Sequence, residues 1–266
     1  MEIVFYVIIF ILGSILGSIY AKLIESMSKE RKSFFMQSYC SKCGEKLSIL
    51  EQIPIFSYMF LKGKCKYCGK PIKRKYIILE IITPLLLLTV AYSLNLYYVN
   101  ITNLLSFIFI ILYFTYIILS AGIDLEKRKM PSTLLAAGII ISIAYIIYLC
   151  FSQGITIYAS MIYLITIILL LLLNIINTKK KAQSSYVIDL LTMLLIMLVF
   201  TGEIISILTI CGTLITVASY ILINKIKQLK LKTKKDLKIF SLNMKIVFIL
   251  GTLNIIIFLI LLNINK

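Results

Sequence analysis

Apolar runs separated by short charged stretches dominate the chain. The runs fall near 3–22, 77–97, 102–123, 132–151, 155–176, 186–200, 203–223 and 246–263. Most approach the roughly 20 apolar residues that a helix needs to cross a bilayer. Only helices and closed barrels satisfy their backbone groups in hydrocarbon, and runs of this length predict helices. The pattern therefore predicts an all-α polytopic membrane protein of about eight transmembrane helices. One polar block, 23–76, is long enough to fold outside the membrane. The sixth run is short, and its boundary with the seventh falls near Thr201-Gly202-Glu203. Merging those two runs would give seven spans.

Charge orients the pattern. All Lys and Arg except Lys266 fall in four segments: 22–76, 127–129, 179–181 and 225–245. With eight spans these segments share one side, which the positive-inside rule makes cytosolic, and the N-terminus is outside. With seven, the segment 225–245 moves to the far side, so the charges favour eight. The opening Met1-Glu2-Ile3-Val4 lacks the basic n-region of a cleaved signal, and the first run is expected to be retained.

Composition agrees with a lipid environment: 61% of residues are hydrophobic and the mean hydropathy is +1.01. The net charge of +17 does not read as a nucleic-acid footprint, because the basic residues flank membrane spans and no binding motif accompanies them. Such loops fix topology and touch anionic lipid headgroups.

The polar block holds Cys40-Ser41-Lys42-Cys43-Gly44 and Cys65-Lys66-Tyr67-Cys68-Gly69. Two residues between cysteines let both sulfurs face one ion, and the following glycine frees the backbone to turn. In a reducing cytosol, a paired pattern of this kind reads as a metal site rather than two disulfides. Cys40, Cys43, Cys65 and Cys68 are thus the expected ligands of a zinc ion. With four cysteines the site is closed and structural. Cys150 and Cys211 read as packing residues.

Three aspartates occur: Asp124, Asp189 and Asp236. Asp236 lies among lysines in a linker. Asp124 closes the third run and Asp189 opens the sixth, which puts both at the cytosolic ends of their helices. Two carboxyl groups brought together cannot both ionise cheaply; one keeps its proton while the other takes one from water. That is aspartyl-protease chemistry. Each Asp alone also reads as a helix-end residue near headgroups, and spacing does not decide whether the two meet. Glu80 opens the second run and reads either as a partner for a basic neighbour or as part of a substrate or cofactor site. The chain has no His, which argues against zinc-protease chemistry.

These residues resemble the type IV prepilin peptidase family, membrane aspartyl proteases of the GxGD type. Gly13, Gly17 and Ser18 are similar to the small-residue motif of that family's first span. Ile53-Pro54-Ile55-Phe56-Ser57-Tyr58 and Leu61-Lys62-Gly63-Lys64-Cys65 resemble its NIPxxSYxxLxGxC string, and Tyr76 with Glu80 its RYxxxE. Ile123-Asp124-Leu125 with Met130-Pro131 is similar to the segment of the first catalytic Asp, and Asp189 falls where the second is expected. The resemblance implies a bacterial inner-membrane protein in three parts: a first transmembrane helix at 1–22, a cytosolic cysteine-rich loop at 23–76 and a helical peptidase core at 77–266. It implies cleavage of the basic leader of type IV pilin-like precursors after Gly, with Asp124 and Asp189 catalytic. It also implies N-methylation from S-adenosylmethionine in many members, with Glu80 a candidate near that cofactor.

Departures stand beside the resemblance. Ala21, Gln52 and Lys75 replace the family's Asn, Asn and Arg. GxGD reads Tyr186-Val187-Ile188-Asp189 here, with both glycines gone, and Leu191 stands where the family has Lys. The sequence leaves open a catalytically impaired member that serves as an assembly or scaffold protein of a pilus-like system. A small transporter is the weakest reading, because its ionisable residues should lie nearer mid-membrane.

Overall fold

The computed structural model describes residues 2–29, 43–45, 58, 60–72, 74–98, 100–126, 130–153, 185–230 and 246–264, with isolated helical positions between 165 and 172. Its described elements are helical: α1 (Glu2–Lys29), α2 (Arg74–Ser93), α3 (Ile101–Glu126), α4 (Ser132–Gln153), α5 (Ser185–Lys230) and α6 (Ile246–Ile264). Among the described residues, four helical segments are long and apolar enough to cross a membrane: Glu2–Ser28, Lys75–Ser93, Ile101–Glu126 and Ser132–Ser152. The expected fifth span, 155–176, lies largely outside the described residues. The chain divides into two compact units, Met1–Ile111 and Leu112–Asn265.

In the first unit, α1 and α2 pack antiparallel. Gly13 lies on Pro84 and Gly17 on Leu79 and Glu80, so residue numbers rise along one helix as they fall along the other. A Cβ at Gly13 would stand 2.5 Å from Pro84 Cα, and one at Gly17 would stand 2.5 Å from the Leu79 carbonyl oxygen. Small residues four apart permit this approach of backbone to backbone, which replaces the hydrophobic drive that lipid cannot supply. The other side of α1, with Ile3, Val4, Val7, Ile8, Ile11, Leu12 and Ile15, is exposed and suits acyl chains.

α2 ends in a Schellman motif. Asn95 takes the left-handed conformation (φ 48°), Leu96 N–H donates to the Ala91 carbonyl at 3.0 Å and Asn95 N–H to Tyr92 at 3.1 Å. Asn100 Oδ1 then accepts from Thr102 N–H at 3.3 Å and caps α3. The turn between them carries Tyr97 and Tyr98, in edge contact with each other, and Tyr97 also meets Phe5 of α1. Aromatics at this level match a membrane interface.

In the second unit, Phe200 of α5 is sandwiched between Tyr113 of α3 and Tyr145 of α4, with ring centroids at 4.7 and 4.4 Å. Moving along α3 from Tyr113 to Tyr116, the α5 neighbour moves back from Phe200 to Ile196, which meets Tyr116 over Gly138. The two helices are antiparallel here. A buried polar chain ties in α6: Tyr113 Oη donates to Asn254 Oδ1 at 2.5 Å, and Asn254 Nδ2 donates to Thr209 Oγ1 at 3.2 Å.

Helical hydrogen bonding in α5 is unbroken for 46 residues, across the expected boundary between the sixth and seventh spans. The helix nevertheless bends there. Thr201 Oγ1 lies 3.3 Å from Ser206 Oγ, five residues on, whereas side chains so spaced in a straight helix diverge by about 140°. Met193 and Thr209 would stand about 24 Å apart along a straight helix. Both reach one turn of α6, Met193 at Gly251 and Thr209 at Asn254. A threonine hydroxyl bonded back to the Met197 carbonyl at 2.8 Å, followed by Gly202, is a known kind of hinge.

Candidate functional site

The cysteine hairpin precedes α2 directly. Lys64 and Pro71 form an antiparallel bridge, Cys65 N–H donates to the Lys70 carbonyl at 2.9 Å and Gly69 N–H donates to the Cys65 carbonyl at 2.9 Å. These bonds fold Cys65-Lys66-Tyr67-Cys68-Gly69 into a tight knuckle. Gly69 and Gly44, each following a cysteine, have φ of +64° and +77°, where any side chain would be strained. The sulfurs of Cys43, Cys65 and Cys68 lie within 4.8 Å of one another. A tetrahedral zinc site with Zn–S bonds of about 2.3 Å needs sulfurs roughly 3.8 Å apart, so the three fit one ion. Cys40, the expected fourth ligand, lies outside the described residues. Cys150 and Cys211 are exposed on α4 and α5.

Across the α1–α2 seam, Ser18 Oγ donates to Glu80 Oε1 at 2.5 Å, and Tyr76 Oη donates to Glu25 Oε2. Both acids thus join the two helices. Glu80 takes part in a helix–helix contact through its bond with Ser18. Gly13 and Gly17 pack against α2 in the same seam.

Asp124 is buried, with 2% of its surface exposed, although it lies in the last turn of α3. Its Oδ2 accepts a hydrogen bond at 3.1 Å from the backbone N–H of Phe248. Phe248 lies in the first turn of α6, whose leading N–H groups have no partner within the helix. The carboxylate therefore fixes the start of α6 against the end of α3. One turn earlier, Ser120 is fully buried, and its hydroxyl finds no hydrogen-bond partner among the described residues. Close by, a Cβ on Gly251 would meet Ile117, Met193 and Ala121 at 3.1–3.6 Å, which marks the convergence of α3, α5 and α6.

Asp189 lies in the first turns of α5, one turn before Met193; its side chain is outside the described residues. Sequence reasoning did not find the Tyr113–Asn254–Thr209 chain. Its signal was available: Asn254 is a lone amide in the middle of an apolar run, where lipid would leave it unsatisfied.

The family model described as the bacterial peptidase A24 N-terminal domain matches residues 11–94. A prepilin leader peptidase/N-methyltransferase of Dichelobacter nodosus is 33% identical over 97 residues, covering 36% of this chain and 32% of the relative. Proteins of the same description from Myxococcus xanthus and Bacillus subtilis are 34% identical over 82 residues and 40% over 76. These alignments cover 31% and 29% of this chain, and 24% and 31% of the relatives. The matched segment thus spans about a third or less of each relative's length. No solved structure matches the chain significantly.

Proposed function

We propose, from the match of residues 11–94 to the family described as the bacterial peptidase A24 N-terminal domain, that the chain is a membrane aspartyl endopeptidase with Asp124 and Asp189 as its catalytic pair. Its substrate in this reading is a type IV pilin-like precursor, cut after Gly at the cytosolic face of the inner membrane.

The observation that carries the reading is the register of α3 against α5. Tyr113 stacks on Phe200, and the helices are antiparallel. Asp124 is eleven residues after Tyr113, and Asp189 is eleven residues before Phe200. Each step is a rise of about 16 Å and close to three whole turns, so both positions return to the faces that stack, at one level. Burial of Asp124 also favours this reading over a carboxylate set among headgroups.

The chemistry follows from two carboxyl groups sharing one proton. The ionised one takes a proton from water as the water oxygen attacks the scissile carbonyl carbon. The protonated one gives its proton to the carbonyl oxygen. On collapse of the tetrahedral intermediate, the carboxyl that took the proton from water gives it to the amine as the C–N bond breaks, and the other carboxylate recovers a proton from the diol hydroxyl. Zinc on Cys40, Cys43, Cys65 and Cys68 would be structural and would hold the loop in shape, taking no part in these steps. Methylation of the new amine is a further activity that the relatives' name brings to this chain as a proposal only.

One feature favours the alternative of a non-catalytic assembly protein: Tyr186, Val187 and Ile188 stand where small residues would let α5 approach its partner. Co-expression with a precursor carrying a short basic leader, Gly-Phe and an apolar helix separates the two. Wild type shortens the precursor on a gel if the peptidase reading holds. Unprocessed precursor beside well-accumulated protein, across several candidate precursors, supports the assembly reading.

A further inference from the structure

The cysteine knuckle has a surface outside its cluster of three sulfurs. Cys65 and Gly63 are buried, while Lys62, Lys64, Lys66 and Lys70 are all exposed around them. Two aromatic residues face outward among these lysines: Phe60 is 82% exposed and Tyr67 is 50% exposed. Lys66 Nζ stands 6.0 Å from the centre of the Tyr67 ring. Between Glu51 and Glu80 the sequence has no acidic residue, and Lys73, Arg74 and Lys75 continue the basic run.

Position decides what this surface can meet. Pro71, in the bridge that closes the hairpin, precedes the first residue of α2 by only three positions, a reach of at most about 11 Å. The stretch long and apolar enough to cross a membrane begins at Lys75. The knuckle is therefore held beside the bilayer surface. Ammonium groups at that level attract anionic headgroups, and aromatic rings favour the headgroup region. Four thiolates around a zinc ion carry a net charge of about −2, which only partly offsets the lysines and arginine.

We propose that the knuckle docks on the bilayer, with Phe60 and Tyr67 seated at headgroup depth and Lys62, Lys64, Lys66 and Lys70 bound to anionic lipid. Charge sign separates this from a substrate-binding role: a basic leader peptide would be repelled by the same lysines. The metal site holds this surface in shape, and the bilayer is its partner.

The chain contains no tryptophan, which makes the test direct. The full-length, metal-loaded Tyr67→Trp protein is placed in nanodiscs of phosphatidylcholine, with or without phosphatidylglycerol. Fluorescence of the single introduced indole is then read with and without brominated acyl chains. The expected result is a blue-shifted emission and stronger bromolipid quenching in the anionic discs. Both effects should be lost near 1 M salt, where the Debye length falls to about 3 Å. They should also be lost in Tyr67→Trp carrying Lys62→Gln, Lys64→Gln, Lys66→Gln and Lys70→Gln, with metal content measured to show that the knuckle still folds. Solvent-like, unquenched emission in both discs overturns the proposal, and so does equal quenching in both. Neither readout needs peptide cleavage, so either failure leaves the peptidase reading untouched.

Discussion

Asp124 Oδ2 accepts a hydrogen bond from the backbone N–H of Phe248, 124 residues away in sequence. The side chain proposed to do chemistry thus also holds the start of α6. Asparagine keeps an acceptor oxygen for that N–H and removes the acid; alanine removes both. Asp124→Asn is expected to accumulate and melt like wild type while cutting no precursor. Asp124→Ala should lose cleavage and, in addition, about 1–3 kcal/mol of stability from the orphaned N–H. Thermal melting in detergent, run beside the precursor gel, separates the two effects.

The α1–α2 seam makes a second prediction. A methyl group at Gly13 or Gly17 meets backbone atoms at 2.5 Å, and backbone yields less easily than a side chain. Gly13→Ala and Gly17→Ala should each cost about 1–3 kcal/mol, through forced separation of the helices. Gly212 provides the contrast, because its nearest neighbour would be Leu253 Cδ1 at 3.5 Å. Gly212→Ala is expected to be neutral or to stabilise by up to about 1 kcal/mol, since alanine is the better helix former. Melting temperatures of the three variants check this.

Metal removal gives the third. Purified protein should carry about one zinc ion per chain, as a closed site of four thiolates would. Cys65→Ser and Cys68→Ser should lose it, and Cys40→Ser tests the ligand outside the described residues. Cys150→Ser and Cys211→Ser should keep it. Elemental analysis reads the stoichiometry, and limited proteolysis within 58–72 reports whether the knuckle opens.

The comparison of sequence and fold is uneven for a physical reason. Apolar runs located the described helices, because length and hydropathy are what a bilayer demands. The glycines after Cys43 and Cys68 carried their meaning openly, and both have positive φ. The boundary expected near Gly202 appears as a bend in a continuous helix, signalled by Thr201 beside glycine. Which helix faces pack was much harder to read. In lipid the outward face is as apolar as the core, so periodicity gives no direction, and only scattered small or polar residues do. Gly13, Gly17 and Asn254 were such marks, yet their partners, Pro84, Leu79 and Tyr113, come from distant parts of the chain. The burial of Asp124 was equally hidden, because its partner is a backbone amide that carries no signature in sequence.

The central claim is that Asp124 and Asp189 meet. Its most direct test is cross-linking of Asp124→Cys with Asp189→Cys by a short bifunctional thiol reagent. Cys150 and Cys211 are replaced by Ser, and a protease site is inserted between the two positions near Lys181. After cleavage at that site, a cross-link keeps the two fragments together on a gel. Tyr113→Cys with Phe200→Cys serves as the register control, and Asp189→Cys alone controls for the loop cysteines. The account predicts that both pairs join and that the single variant does not. Joining of the 113–200 pair without the 124–189 pair would contradict it, because the register would then be right and the two aspartates still apart.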